Sequence, residues 1–232
     1  MSGESKGSVL LRFLRLILIV TIPILLLLTG VRLTLTPIYV QTAYAVPGFP
    51  EDTYGFTAEQ RLSHAQVARQ YLLNDAGIEY LAERTFDDGE PLYNDRELRH
   101  MHDVKELTQA VLNFWLALLF LGTATALSIH RVGGTRDLGR TLAQSGKVTL
   151  ISMAVLGVAL LVSFPFVFVG FHRIFFEGNS WLFRYSDTLI RLFPERFWQQ
   201  VFVFLTLVTA GLAVILRWLG SRLVKRQGDL PE

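Results

Sequence analysis

Four apolar stretches, at about 13–35, 107–129, 148–169 and 201–219, set the terms for this chain. Each approaches the ~20 residues an α-helix needs to cross a hydrocarbon core. Inside lipid the backbone must satisfy its own hydrogen bonds, which selects helices over any open sheet. The composition agrees: 51% of residues are hydrophobic and 18% charged, an unusual balance for a water-soluble domain. The expected fold class is all-α, a polytopic membrane protein with four transmembrane helices. Residues 1–232 read as a single membrane domain, with an extracytoplasmic cap over 36–106 and a second outer loop over 170–200. Ala43-Tyr44-Ala45 has the small-x-small pattern of a signal-peptide cleavage site. It lies too far beyond an apolar core that is itself too long, so the first stretch is expected to be an uncleaved anchor.

Charge placement gives the orientation. Lys6, Arg12 and Arg15 precede or open the first stretch, Arg131, Arg136, Arg140 and Lys147 lie between the second and third, and Arg217, Arg222, Lys225 and Arg226 follow the fourth. Only Glu4, Asp137, Asp229 and Glu232 offset them in those segments, whereas the two other loops are net acidic. Basic residues concentrate on the cytoplasmic side, so both termini are expected there. The formal charge of +2 thus averages two faces of opposite sign, and the basic face carries topology and no nucleic-acid patch. The chain has no cysteine, which rules out a disulfide, a thiolate nucleophile or a Cys-ligated metal.

The cap has its own helical signals. "TAEQRLSHAQVARQYLLNDAG" starts with Thr57 as N-cap and Gln60 at the third helical position, and Gly77 is a plausible stop. Leu62, Ala65, Ala68 or Arg69, and Leu72 recur at helical spacing. This helix is expected to lie on the bilayer surface or pack on the other outer loop. Asp88-Gly89 signals a turn that closes a short hairpin. Asn94 or Asp95, with Glu97 in the first turn, caps a helix running unbroken from about Arg96 to Ile129. Aromatic residues, among them Phe171, Phe175, Phe176, Trp181, Phe183 and Trp198, crowd the outer side. Interfacial anchoring and a surface that holds acyl chains predict that pattern equally well.

Of five histidines, His130 reads as a cytoplasmic boundary and His64 as a solvated position on the cap helix. His100, His102 and His172 all fall at one depth, just outside the second and third apolar stretches. His100 and His102 are two apart, which on a helix sends them to different sides, so they do not form a metal-ligand pair. No metal site and no cofactor is expected. Helical spacing pairs His100 with Asp103 and with Glu97, and His102 with Glu106; a carboxylate so placed can orient an imidazole. His172 stands beside Arg173. Snorkelling side chains at a membrane boundary would produce the same spacing. Arg32, near the outer end of the first stretch, faces the bundle or reaches the headgroups.

The segments "YGFTAEQRL", "RHMHDVKEL" and "FHRIFFEGNSWLF…DTLIRLFPERFW" resemble the bacterial lipoprotein intramolecular transacylases, four-span integral membrane proteins, over roughly Tyr39–Trp198. The resemblance implies an enzyme at the outer-leaflet face of the bacterial cytoplasmic membrane. Its substrate would be a lipoprotein whose N-terminal cysteine carries a diacylglyceryl thioether and a free α-amine. The sn-2 acyl chain would move from glycerol to that amine, leaving the N-acyl lyso form. The family histidines fall on His100 and His172, with Asp103 as the orienting carboxylate. Arg173, Trp181, Tyr54 and Arg61 are the oxyanion- or substrate-binding candidates. Partners implied are the lipoprotein and membrane lipids, with no nucleic acid.

This chemistry suits the residues. Ester-to-amide transfer needs a base for the attacking amine and an acid for the departing glycerol oxygen, and histidine can serve as either near neutral pH. A covalent acyl-histidine relay is a second route. Ser180 lacks the context of an activated nucleophile. The non-enzymatic alternative is a membrane scaffold that binds lipids or partner helices through the aromatic outer half. A transporter would need paired ionisable groups near mid-bilayer, and the last three stretches have none.

Overall fold

The computed structural model describes residues 2–228, with side chains over 7–226. Glu4, Lys6, Asp229 and Glu232, used above for orientation, lie outside the described side chains. Among the described residues seven helices follow one another: α1 (Ser2–Thr34), α2 (Pro37–Ala45), α3 (Ala58–Leu73), α4 (Glu79–Ala82), α5 (Asp95–Phe175), α6 (Thr188–Leu192) and α7 (Glu195–Gly228). Among the described residues there is no strand, so the protein is all-α. The expected hairpin shrinks to a single antiparallel bridge between Thr85 and Pro91. It closes through the Phe86 amide donating to Glu90 O at 2.8 Å, with Gly89 at φ +89°. Outward of it Leu92 N donates to Arg84 O, and there α4 and the cap of α5 end the pairing.

Among the described residues three helices are long and apolar enough to cross a membrane: Gly7–Thr34 within α1, α5, and Glu195–Arg226 within α7. Their outward side chains are greasy: Leu161 is 88% exposed, Phe120 78% and Ile174 75%. Water would not tolerate an apolar surface of that extent, whereas lipid is its natural solvent. The loop expected after Ile129 is helical instead, and α5 runs for 81 residues. Straight, such a helix would measure ~120 Å. Yet His100 and His172, near its two ends, have ring centroids 6.2 Å apart, so the run doubles back. Gly134, at φ +75°, holds the left-handed conformation that lets the chain leave one helical direction.

Two compact units partition the residues. The first comprises residues 1–31, 113–158 and 204–232. Its core is Leu18, Ile22, Leu25, Leu118 and Ile129, and glycines bring its helices close. A Cβ on Gly220 would lie 2.6 Å from both Gly139 O and Ala143 N, so only glycine permits that backbone approach. Arg15 pairs with Asp137, and the indole N–H of Trp115 donates to Thr29 Oγ1 at 3.1 Å. Thr141, Ser145 and Thr149 are buried, and each hydroxyl donates to the carbonyl four residues earlier. That satisfies polar groups where water is absent.

The second unit, residues 32–112 and 159–203, holds the cap. Its core gathers Ala68, Tyr71, Leu81, Leu92, Met101 and Leu192. The α3 capping box forms as expected, Gln60 N donating to Thr57 Oγ1 and Thr57 N to Gln60 Oε1. The helix ends at Leu73, earlier than Gly77, because Asn74 takes an extended conformation and its side chain accepts from Ala76 N. The inward face is Arg61, Ala65, Ala68 and Tyr71: Ala65 and Ala68 are as expected, and Arg61 and Tyr71 take the places of Leu62 and Leu72, since α3 packs on the second outer loop.

Candidate active site

The site grows from the first turns of α5. Asn94 caps that helix by accepting from the amides of Arg96 and Glu97, and Glu97 Oε2 accepts in return from Asn94 N at 2.9 Å. The other oxygen of Glu97 accepts from the Leu189 amide at the start of α6, 2.7 Å away. Thr188 Oγ1 donates to Leu92 O, and Arg96 pairs with Asp187 at 2.8 Å. Together these contacts fasten the second outer loop onto the helix that carries His100. Glu97 is fully enclosed; burial raises its pKa, and the amides of Asn94 and Leu189 offset only part of that. Glu97 is a fastening, and its carboxylate is engaged away from His100.

One turn on, His100 meets His172. Both are buried, and their ring planes lie within 21°. Phe176 contacts both rings, at 4.9 Å and 5.5 Å between centroids. Phe183 closes on His100 at 5.2 Å, and Phe168 and Trp181 close on His172 at 4.2 Å and 4.9 Å. The result is two imidazoles in an aromatic box. His172 Nδ1 lies 2.8 Å from Phe168 O. A carbonyl can only accept, so Nδ1 carries the proton and Nε2 presents a lone pair. His100 Nδ1 is buried with no hydrogen-bond partner, as is Trp181 Nε1. Unpaired polar atoms inside an apolar enclosure are costly unless a ligand satisfies them.

Both rings stand outside the apolar stretches 107–129 and 148–169. Burial lowers the pKa of His100 to about 4, with the neighbouring His172 adding to the shift. Burial likewise lowers His172, partly countered by its bond to Phe168 O. Both imidazoles are therefore neutral near pH 7, the form in which a histidine can accept a proton.

The other sequence candidates lie elsewhere. Asp103 makes no hydrogen bond to His100. Its carboxylate is half-exposed, 3.9 Å from His102 Nδ1, while the His100 ring turns inward to His172. The orienting partner in the structure belongs to His172 and is a backbone carbonyl, which no residue type could announce. Arg173 is exposed beside Ile174. Arg61 is buried and its guanidinium is consumed by main chain, Nε and Nη2 donating to Arg191 O and Nη1 to Pro50 O. Tyr54 is half-exposed, and its carbonyl accepts from Arg191. Neither contacts an imidazole.

Sequence reasoning missed the clamp that these residues serve. Arg191 and Asp52 form a two-point pair, Nε to Oδ1 at 3.1 Å and Nη2 to Oδ2 at 3.0 Å. The guanidinium lies 3.7 Å from the Phe56 ring centroid. Burial opposes the charge on Asp52, but Arg191 and the amides of Phe56 and Tyr54 prevail and hold its pKa below the usual range. A 139-residue separation hid the pair from any local pattern. Lys105 was also missed: it donates to Ala76 O and Asn74 Oδ1 and sits over Tyr71.

A helical protein with lipid-facing helices and a buried histidine pair at one end of a long folded-back helix defines a membrane-integral protein. Residues 16–198 match the family described as lipoprotein intramolecular transacylase Lit. The chain belongs to that family. An uncharacterised protein from Aquifex aeolicus is 29% identical over 222 residues, spanning 94% of this chain and 99% of that protein. The solved structure of the membrane-integral lipoprotein intramolecular transacylase Lit from Bacillus cereus is similar in fold. Its TM-score is 0.68 at 16% identity, covering 95% of this chain and 98% of that one. A variant of the same protein with one histidine replaced by arginine gives 0.72 at 16% identity, covering 97% and 98%.

Proposed function

We propose that this chain moves the sn-2 acyl chain of a diacylglyceryl-modified lipoprotein onto the α-amine of its N-terminal cysteine, yielding the N-acyl lyso form. Family membership supports the substrate class. The carrying observation is the pair of buried, neutral imidazoles, His100 and His172, meeting inside an aromatic box. Beside them Phe171, Ile174 and Phe175 expose apolar surface at the end of α5, a surface suited to acyl chains.

The α-amine attacks the sn-2 ester carbonyl, and His172 takes the proton from the attacking nitrogen at Nε2. The carbonyl–glycerol bond then breaks, and the proton passes to the departing oxygen. One amide and one hydroxyl form, and neither water nor cofactor is consumed. Two imidazolium rings 6.2 Å apart in this enclosure would repel, so the pair carries at most one proton at a time. His100, with its unpartnered Nδ1, is the second proton-handling group. Ester and amine belong to one molecule, so holding them together supplies much of the rate. Trp181 and Arg173 remain the candidates for holding the substrate or its oxyanion, and Arg61 and Tyr54 act through the cap.

In this reading α5 contributes two of four spans because it doubles back. Both termini are cytoplasmic, and the site stands at the outer-leaflet face, where glycerol esters lie. Purified protein in bicelles with a synthetic diacylated lipopeptide is expected to give an isomer of unchanged mass whose fragmentation places one acyl chain on nitrogen. Release of free fatty acid, or no conversion at all, would refute the proposal.

A further inference from the structure

A groove of about 470 Å³, with an apolar floor and charged side chains in its wall, is built on the same segments as the histidine pair, and the acyl-transfer chemistry leaves it unused. Asp95, Arg99, His102, Asp103, Glu177 and Ser180 line it, with Leu98 and Ile78 as its apolar part. It shares both of its main segments with the site. The first turns of α5 send His100 toward His172 and Arg99, His102 and Asp103 toward the groove. The loop after α5 puts Phe176 and Trp181 against the imidazoles and Glu177 and Ser180 in the groove wall. Asp95, Arg99 and Glu177 make no side-chain hydrogen bond or ion pair with any described residue. Trp181 Nε1 and His100 Nδ1, on the same two segments, are buried and also lack partners.

Resting on the transacylase reading, we infer that this groove binds the polypeptide that follows the lipidated cysteine. The reacting amine and the peptide carbonyl share one Cα, so the next residue begins ~3.8 Å further along. A peptide chain cannot follow the acyl chains into lipid, and the groove carries the charged side chains built on the same turns as the imidazoles. Its volume suits a short peptide segment. Three carboxylates face one guanidinium, and His102 is exposed. The groove is therefore net negative and selects peptides bearing lysine soon after the cysteine over those bearing glutamate.

The test uses the full chain in bicelles and three substrates with the same diacylglyceryl-cysteine. One ends as the cysteine amide, one continues with two lysines within four residues, and one carries two glutamates there. At low salt the lysine substrate is expected to exceed the glutamate substrate about tenfold in kcat/KM, through KM, the effect of two exposed charge pairs. The preference narrows at high salt. The Asp95→Asn/Glu177→Gln double variant is expected to bring the ratio near one while turning over the amide as wild type does. A wild-type ratio at or below one, or an unchanged ratio in the double variant, overturns the inference while leaving the transferase reading standing. If none of the three substrates is converted, the transferase reading fails and this inference with it.

Discussion

His100 and His172 lie 72 positions apart on one helical run, yet their ring centroids are 6.2 Å apart and their planes nearly parallel. No hydrogen bond joins the two rings, so a substrate group must bridge them for protons to move. Replacing either with alanine is therefore expected to lower kcat by roughly 10²- to 10⁴-fold. The double variant should be little worse than the more damaged single one, since groups acting as a unit are not additive. Single-turnover assays on the diacylated lipopeptide check this; multiplicative losses would show that the rings act independently.

The pH profile follows from burial. His100 is depressed to about 4 and His172 is also lowered, so neither should titrate between pH 6.5 and 9. The substrate α-amine, with an ordinary pKa of ~7.7–8.0, must lose its proton before attack. We expect kcat/KM to rise to about pH 8 and then level, with no inflection at 6.5. The same shift has a stability sign. Between ~6.5 and ~4 the unfolded chain takes up a proton at position 100 that the native site refuses, so acidification destabilises the fold. A profile falling above pH 7 would instead demand an imidazolium acid.

Asp103 discriminates between orientation by carboxylate and by backbone. The structure gives His172 a backbone carbonyl and leaves His100 without an orienting bond. Asp103→Asn is thus expected to keep kcat within about threefold of wild type, the scale of an exposed polar change. A loss comparable to that of His100→Ala would restore Asp103 to the reacting set.

Sequence reading reached the helical class and the caps at Thr57 and Asn94, because each has a local or periodic signature, and it set His100 and His172 at one depth. It did not reach what depends on main chain or distance. Phe168 O, which fixes the His172 tautomer, is a carbonyl that any residue would supply. Arg191 with Asp52 joins segments that only the folded cap brings together. Arg61 looked available for substrate because its type suggests binding, whereas carbonyls of Arg191 and Pro50 occupy it. The helix through Gly134 was hidden because basic residues there read as a loop.

The cap clamp should govern stability. Asp52 and Arg191 are both buried, with side-chain exposures of 2% and 7%. Asp52→Ala leaves the guanidinium unpaired and is expected to cost about 3–5 kcal/mol. Thermal unfolding in detergent should show a lowered midpoint, and the wild-type protein should lose the same contribution as pH falls through the depressed pKa of Asp52. An unchanged midpoint would show the pair to be solvated.

Close helix contact in the first unit should be equally sensitive. Gly220→Val brings side-chain carbons against Gly139 O and Ala143 N, where even a Cβ would be at 2.6 Å. Overpacking of this kind costs about 1–3 kcal/mol, measurable in the same unfolding assay, with histidine chemistry unaltered in protein that remains folded.

The most direct measurement is a crossover experiment. Equal amounts of two diacylated lipopeptides, one heavy in both acyl chains and peptide and one light in both, are incubated with the wild type, His100→Ala and His172→Ala proteins. Tandem mass spectrometry then reads which acyl chain sits on which amine. The wild type is expected to give heavy-on-heavy and light-on-light N-acyl products alone, with both variants nearly inactive. Mixed products, or full activity without either imidazole, would contradict a histidine-driven transfer within one substrate molecule.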